Sequence, residues 1–437
     1  MMSVEGPFLA AVIARLADPT FNLAAYGVAF SFALIVEAPI IMILSAATTL
    51  ARDQASYRKL RNFLFTLNGI ITVGMLVLLF SPAFSWLALS VISLPPEVAE
   101  LTHRSLLVLL PWPAAIGFRR FYQGVLIREE MTRRVAYGTA IRVFFMAATA
   151  LSLYYLTDIP GALVGSAALS AGVVFESAGT WMMAVPAVRS VKARDASGSG
   201  TDEEPLTYGR IVEFYMPLAM TSIMFLTVHP MVTFFLGQSR MAIESLAVLP
   251  VITALTFIFR SVALSYQEVA ISLLDGTREN FRRVSRFAAT LGIVATVGLV
   301  SIAWTPLAHV WFSQVSGLSP ELSQFSILPL RLFCLIPFFS VLIAFERAIL
   351  MYGRYTRPVS VATAIEVAFI LSILFVCIHL LDLVGVVSAV TALFLGRLVG
   401  NAYLLYPAYT VLSRTGVLGS KEPVEEGGVE ASPSEAS

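Results

Sequence analysis

From Asn22 to Leu412 the chain runs through eleven apolar stretches, each about as long as a bilayer is thick: residues 22–50, 62–88, 102–127, 135–157, 160–188, 209–236, 241–274, 284–313, 322–350, 358–381 and 383–412. A helix needs about 20 mostly apolar residues to cross the hydrocarbon core. Transmembrane β-strands would instead alternate apolar and polar residues over segments of about 10, and these runs do not alternate. Composition excludes a soluble alternative. The chain is 57% hydrophobic and 13% charged, against about 25% charged in a soluble domain. So much apolar surface in 437 residues does not fit inside a water-soluble core. The fold class expected is all-α integral membrane.

The chain opens differently. Residues 4–17 are apolar but too short to span, and they carry Glu5 and Pro7 before the turn at Asp18-Pro19. Residues 1–6 contain no Lys or Arg, so a signal peptide is not expected. Charge along the joints alternates. Arg52, Arg58, Lys59 and Arg61 form one basic set; Arg128, Arg133 and Arg134 another; further sets lie at 189–194, 278–286, 354–357 and 414–421. Joints near Asp18, Glu97, Asp158, Pro320 and Asp382 are poor in Lys and Arg. The positive-inside rule puts the basic set in the cytoplasm, in a plasma (inner) membrane. The Ser/Gly-rich linker 189–208 and the acidic tail 413–437 are then cytoplasmic, and the tail is expected to be disordered. Cys334 and Cys377 fall in apolar runs and read as small buried hydrophobes.

A shift of 224 positions superposes the halves of the chain. SLPPEV at 93–98 meets GLSPEL at 317–322; Pro82 meets Pro306, Pro113 meets Pro337, and Phe121 meets Phe345. Thr132-Arg133 meets Thr356-Arg357, Ala140-Ile141 meets Ala364-Ile365, Gly161 meets Gly385, and Gly172 meets Gly396. Both halves start on the same side, so the repeat is parallel, with its axis along the membrane normal. Two six-helix bundles facing a central cleft are expected: an N-terminal lobe over 1–188 and a C-terminal lobe over 209–412. In this register residues 209–224 have no counterpart, and Glu5 meets His229. The opening is therefore expected to be the outer half of a first helix whose inner half is missing, through a misplaced start or a truncated gene.

Ionisable residues inside spans cost several kcal/mol and mark a pathway or a pair. Glu37 lies mid-span, followed by Pro39, which removes a helical donor and suggests a local break. Arg260 lies next to its repeat equivalent, and Thr253, Thr256, Arg260 and Gln267 fall at helical spacing on one face expected to line the cleft. Arg142 and Glu366 occupy equivalent positions with opposite charge. They either bridge the lobes as a gate or pair within their own bundles. Glu5 and His229, at mid-span depth, are candidate proton carriers. Arg119, Arg120, Arg331, Arg347 and Arg397, set against Glu176, Glu268 and Glu346, slightly favour an anionic ligand, because guanidinium binds carboxylate and phosphate bidentately. No phosphate-binding loop, H-E-x-x-H or Cys/His cluster is present. No enzyme activity, cofactor, metal or nucleic-acid partner is expected.

At RLADPTFNLAAYGVAF (15–30), RDQASYRKLRNF (52–63) and ILPLRLFCLIPF (327–338) the sequence resembles the multidrug/oligosaccharidyl-lipid/polysaccharide flippase superfamily. Within it the likeness is nearest to the multidrug and toxin extrusion-like branch that includes the progressive ankylosis transporter. The distinctive matches are the turn followed by L-A-x-Y-G, the Tyr57, Arg58, Lys59 and Phe63 set, and the P-L-R-L-F run from Pro329 to Phe333. The resemblance implies twelve helices in two lobes and rocker-switch export. It also implies cation coupling through an acid in the first helix, here Glu5. The expected function is a monomeric secondary transporter that exports an organic solute, coupled to H+ or Na+. A flippase for a lipid-linked saccharide is the alternative, and a polytopic enzyme or scaffold is less favoured.

Overall fold

A computed structural model describes residues 2–196, 206–274, 277–353, 355 and 357–414. Among them, ten helices are long and apolar enough to cross a membrane. The protein is a multi-pass, all-α membrane protein built on a twelve-helix plan.

The first lobe contains α1 (Met2–Ile13), α2 (Pro19–Glu37), α3 (Ile43–Leu50), α4 (Gln54–Phe80), α5 (Pro82–Ser85), α6 (Pro96–Val108), α7 (Trp112–Arg128), α8 (Thr132–Leu156) and α9 (Gly161–Ala196). The second contains α10 (Tyr208–Gly237), α11 (Ala242–Leu273), α12 (Arg278–Trp304), α13 (Leu307–His309), α14 (Pro320–Phe333), α15 (Ile336–Tyr352), α16 (Arg357–Phe375) and α17 (Gly385–Arg414). π-helical turns at Trp86–Val91 and Val310–Val315 follow α5 and α13, and a third at Val376–Leu380 continues α16.

The 224-residue register is written into the backbone. α4 and α12 each have 27 residues, α7 and α15 each 17, and the first two π turns six each. Ile92 N donates to Leu87 O and Ser316 N to Trp311 O, the same five-residue bond in both lobes. Ser93 and Gly317 follow at positive φ, 64° and 72°. One slip occurs. The first two helices of the lobes match at 223, because Asp18 and Met241, both at positive φ, begin α2 and α11. Asn22 Oδ1 accepts from Ala162 N at 2.8 Å, as Ser245 Oγ accepts from Val386 N at 3.0 Å. Glu37 and Arg260 are therefore true equivalents, not neighbours by one residue.

Local chemistry sets the element ends. Asp53 and Ser56 cap α4 reciprocally; Thr207, Thr277 and Ser319 hydroxyls cap α10, α12 and α14. Pro39 breaks the 22–50 stretch as expected, with a turn over residues 38–42, and Tyr215 Oη donates to the freed Pro39 carbonyl. The lipid side is apolar, as a bilayer solvent requires. On α4, Ile70, Val73, Val77 and Phe80 are exposed at spacings of three and four, while Leu60, Leu64, Met75 and Leu79 are buried.

Some boundaries differ from the sequence reading. α9 runs on to Ala196, past 188, because nothing in 189–196 breaks a helix. The opening helix ends at Ile13, and a turn reaches Asp18. Residues 197–205, residues 415–437 and the side chain of Glu268 lie outside the described residues, as do the expectations placed on them.

The lobes meet along α2 and α11. A Cβ on Gly27 would lie 2.9 Å from Pro250 Cγ, and one on Gly6 3.2 Å from Ala254 Cβ. Gly27 and Pro250 share the 223 register, so the pseudo-twofold axis passes through this contact.

Candidate functional site between the lobes

A cavity of ≈ 480 Å³ lies between the lobes. Its walls are largely apolar, and a few polar groups converge on it, the usual composition of a small-molecule site. The first lobe contributes Glu5 from α1, Tyr26 from α2 and Arg142 from α8. The second contributes His229 from α10, Thr253 and Arg260 from α11, Thr363 and Glu366 from α16, and Arg397 from α17.

Two of the three arginines are neutralised within their own lobes. Arg142 Nη2 lies 2.6 Å from Glu5 Oε2. A second carboxylate stands behind it, Glu176, at 4.0 Å from Arg142 Nη1. Glu176 is itself held by Arg119 Nη1 at 2.7 Å and Gln123 Nε2 at 3.4 Å. Across the cavity Arg397 Nε lies 3.0 Å from Glu366 Oε1. Arg142 and Glu366 thus each pair within a lobe, and the two do not form a cross-lobe gate. Arg260 has no hydrogen-bond or ion-pair partner among the described residues, and its Nε is shut off from solvent. The charged side chains lining the cavity therefore sum to one positive charge, and Arg260 is the arginine with no carboxylate at ion-pair distance, Glu366 acting on it only from further off.

Five of the seven sequence candidates, Glu5, Arg142, His229, Arg260 and Glu366, line this one cavity. Two do not. Glu37 is buried beside the charges of Arg119 and Arg120 in the first lobe. Its equivalent Arg260 takes the open position instead. Gln267 keeps the face of Arg260 but sits seven residues further along α11, about 10 Å at 1.5 Å per residue. That carries it past the cavity, to Met351 Sδ at 3.8 Å. Thr256 is buried and bonded to Thr253 O, so the expected polar stripe reduces to Thr253 and Arg260. Arg331 stacks on Trp304 and donates to Ala303 O, away from the cavity. Sequence reasoning ranked Arg397 only among accessory charges. Its place inside the last apolar stretch, immediately after the repeated Gly396, was the available signal.

On the face opposite the basic joints the lobes are tied twice. Arg15 Nη2 donates to Gln314 O at 2.6 Å and Val315 O at 2.9 Å, the end of one π turn. Gln238 Nε2 donates to Val91 O at 2.7 Å, the end of the other. Arg15 and Gln238 share the 223 register and Val91 and Val315 the 224, so these are symmetry-related ties. Each joins the end of one lobe's first helix to the other lobe. At the second tie a Cβ on Gly237 would lie 2.3 Å from Ile92 O. Gly237→Ala should therefore force this face apart. A cysteine placed at Thr253 should then react several-fold faster with an impermeant maleimide added on this face, because overpacking here costs about 1–3 kcal/mol. An unchanged rate would mean the ties do not hold the cavity shut.

This arrangement has counterparts among solved structures. The chain superposes with a TM-score of 0.76 on an inward-facing multidrug resistance MATE family transporter of the MOP superfamily, at 14% identity and 95% coverage of both chains. The fold is that of the MATE transporters. It also matches the lipid II flippase MurJ in an inward closed conformation, with a TM-score of 0.71, 15% identity, and 95% of this chain and 88% of that one covered. An outward-facing MATE transporter superposes less well, with a TM-score of 0.63 at 15% identity, covering 95% and 92% of the two chains. No family model and no curated protein matches the sequence.

Proposed function

We infer that this protein is a monomeric alternating-access transporter for an organic anion, with its basic joints and C-terminus in the cytoplasm. One observation carries the reading: Arg260 stands unpaired in an inter-lobe cavity whose other arginines are already neutralised. An unpaired guanidinium in an apolar cavity is costly, and a carboxylate or phosphate entering it satisfies the charge bidentately. The MATE fold and the two ties support rocking of the lobes as the means of exposing the site alternately.

Coupling falls to the first lobe. Protonation of Glu5 removes the charge that holds Arg142, and Glu176 stands by to receive it. The guanidinium then moves without being stranded, and the cavity changes shape with the proton. The reading is tested in proteoliposomes under an imposed proton or sodium gradient, with a panel of carboxylates, phosphate esters and organic cations of similar size. Gradient-driven movement of the anions supports it, and movement confined to the cations would overturn it. In the same assay Glu5→Gln is expected to retain ligand binding and to lose the dependence on the gradient. A variant as gradient-sensitive as the parent would remove Glu5 from the coupling.

A lipid-linked anion is the second reading. The MurJ likeness in fold and the lateral groove described next favour it.

A further inference from the structure

A second cavity, of ≈ 360 Å³, lies beside the first, on the lipid side of the seam between α2 and α10. Ile35, Leu87, Ile92, Pro230 and Met231 form much of its wall, and Ile35 and Met231, 43% and 39% exposed, stand at its open edge. Each hydroxyl in its lining lies within hydrogen-bond distance of a carbonyl of its own helix: Ser31 of Gly27 O, Thr227 of Ile223 O and Thr233 of His229 O. The groove therefore offers hydrocarbon and no free polar group, which suits an alkyl chain and nothing polar.

The two cavities share a wall. Ser31 and Thr233 line both. Their hydroxyls meet across the lobe boundary at 2.7 Å, a single hydrogen bond between α2 and α10. On α10, His229 faces the central cavity while the next two residues, Pro230 and Met231, face the groove. The Ser31–Thr233 contact thus stands between a cationic chamber and an apolar slot. A hydroxyl has one proton, so one of the two forgoes its own-helix carbonyl while the seam bond stands; when that bond parts both can donate to those carbonyls, Gly27 O and His229 O, and opening the wall strands no buried donor.

We propose that the groove is a tail site: the transported anion is an amphiphile whose head sits at Arg260 while its alkyl chain passes the Ser31–Thr233 seam into the groove. This rests on the anion reading above. Continuity between the chambers selects the occupant, because a bulk lipid filling the groove alone would have no reason to meet a seam that opens onto Arg260.

The test uses dodecyl phosphate carrying a diazirine on its terminal carbon, photolysed with the full-length protein in phosphatidylcholine proteoliposomes. Labelling is expected within 86–92 and 227–235, saturable by unmodified dodecyl phosphate, and reduced about tenfold or more in Arg260→Gln, the loss of a charge-assisted contact. Met231→Trp, which fills the groove without touching the central cavity, should abolish labelling there while butyl phosphate binding persists. Saturable, Arg260-dependent labelling that maps instead to cavity residues such as Phe257 or Leu393 would overturn the tail site and leave the anion reading standing. Groove labelling that neither dodecyl phosphate nor Arg260→Gln reduces would mean bulk lipid, and the proposal fails. Groove labelling that is saturable but indifferent to Arg260 would refute the anionic head, and with it the amphiphile as stated.

Discussion

Arg260→Gln is expected to abolish measurable transport while leaving the protein folded. Its guanidinium has no partner to strand among the described residues, so the substitution removes a charge without orphaning another. Stability should hold or rise slightly. Affinity for an anion should fall by about 1.5–3 kcal/mol, roughly 10- to 150-fold, the worth of hydrogen bonds to a charged group. Isothermal titration with the best anion from the proteoliposome panel reads this directly. Arg260→Lys should recover part of the loss, since it restores the charge but not the planar fork. Equal affinity in all three proteins would show that the anion does not meet Arg260.

Glu176→Gln should act in the opposite way, on stability before function. Glu176 is fully buried, and Arg119, 2% exposed, depends on it at 2.7 Å. Neutralising one partner of such a pair leaves an uncompensated buried charge, at a cost of about 3–5 kcal/mol. Equilibrium unfolding in mixed detergent micelles should show the loss. The double variant Glu176→Gln with Arg119→Met should regain most of it, because the stranded charge is gone. A double variant no more stable than Glu176→Gln would mean that Glu176 serves Arg142 rather than Arg119. The contrast between the two sites separates a charge held for a ligand from a charge held for the fold.

Much of this was legible in the sequence because bilayers impose simple rules. Spanning length, basic joints and the repeat of Pro and Gly positions fixed the twelve-helix plan and its parallel halves. The same rules flagged Glu5, Arg142, His229, Arg260 and Glu366 as expensive residues, and all five converge on one cavity. The pairings were not legible. Arg142 prefers Glu5 over Glu366 because α1 and α8 lie in one lobe, a fact of packing that no spacing records. Glu37 and Arg260 looked offset because a positive-φ residue starts each second helix one position apart, which a rigid alignment cannot detect. Gln267 shows the limit of periodicity: it reports the face of a helix, not its depth. Ser31 and Thr233 carried no signal, being small hydroxyl residues in spans full of them.

The two ties that close the face away from the basic joints are unequal. Arg15 grips two carbonyls with one charged nitrogen, Nη2, whereas Gln238 holds one with a neutral amide. The rim should therefore part first at Gln238. Val91, which receives that amide, also lines the apolar groove. Opening would thus begin directly above the slot rather than above the water-facing centre, like a lid hinged at Arg15. If the proposed amphiphile leaves through such a lopsided mouth, its exit would be sideways along the groove, and its tail would never need to cross water.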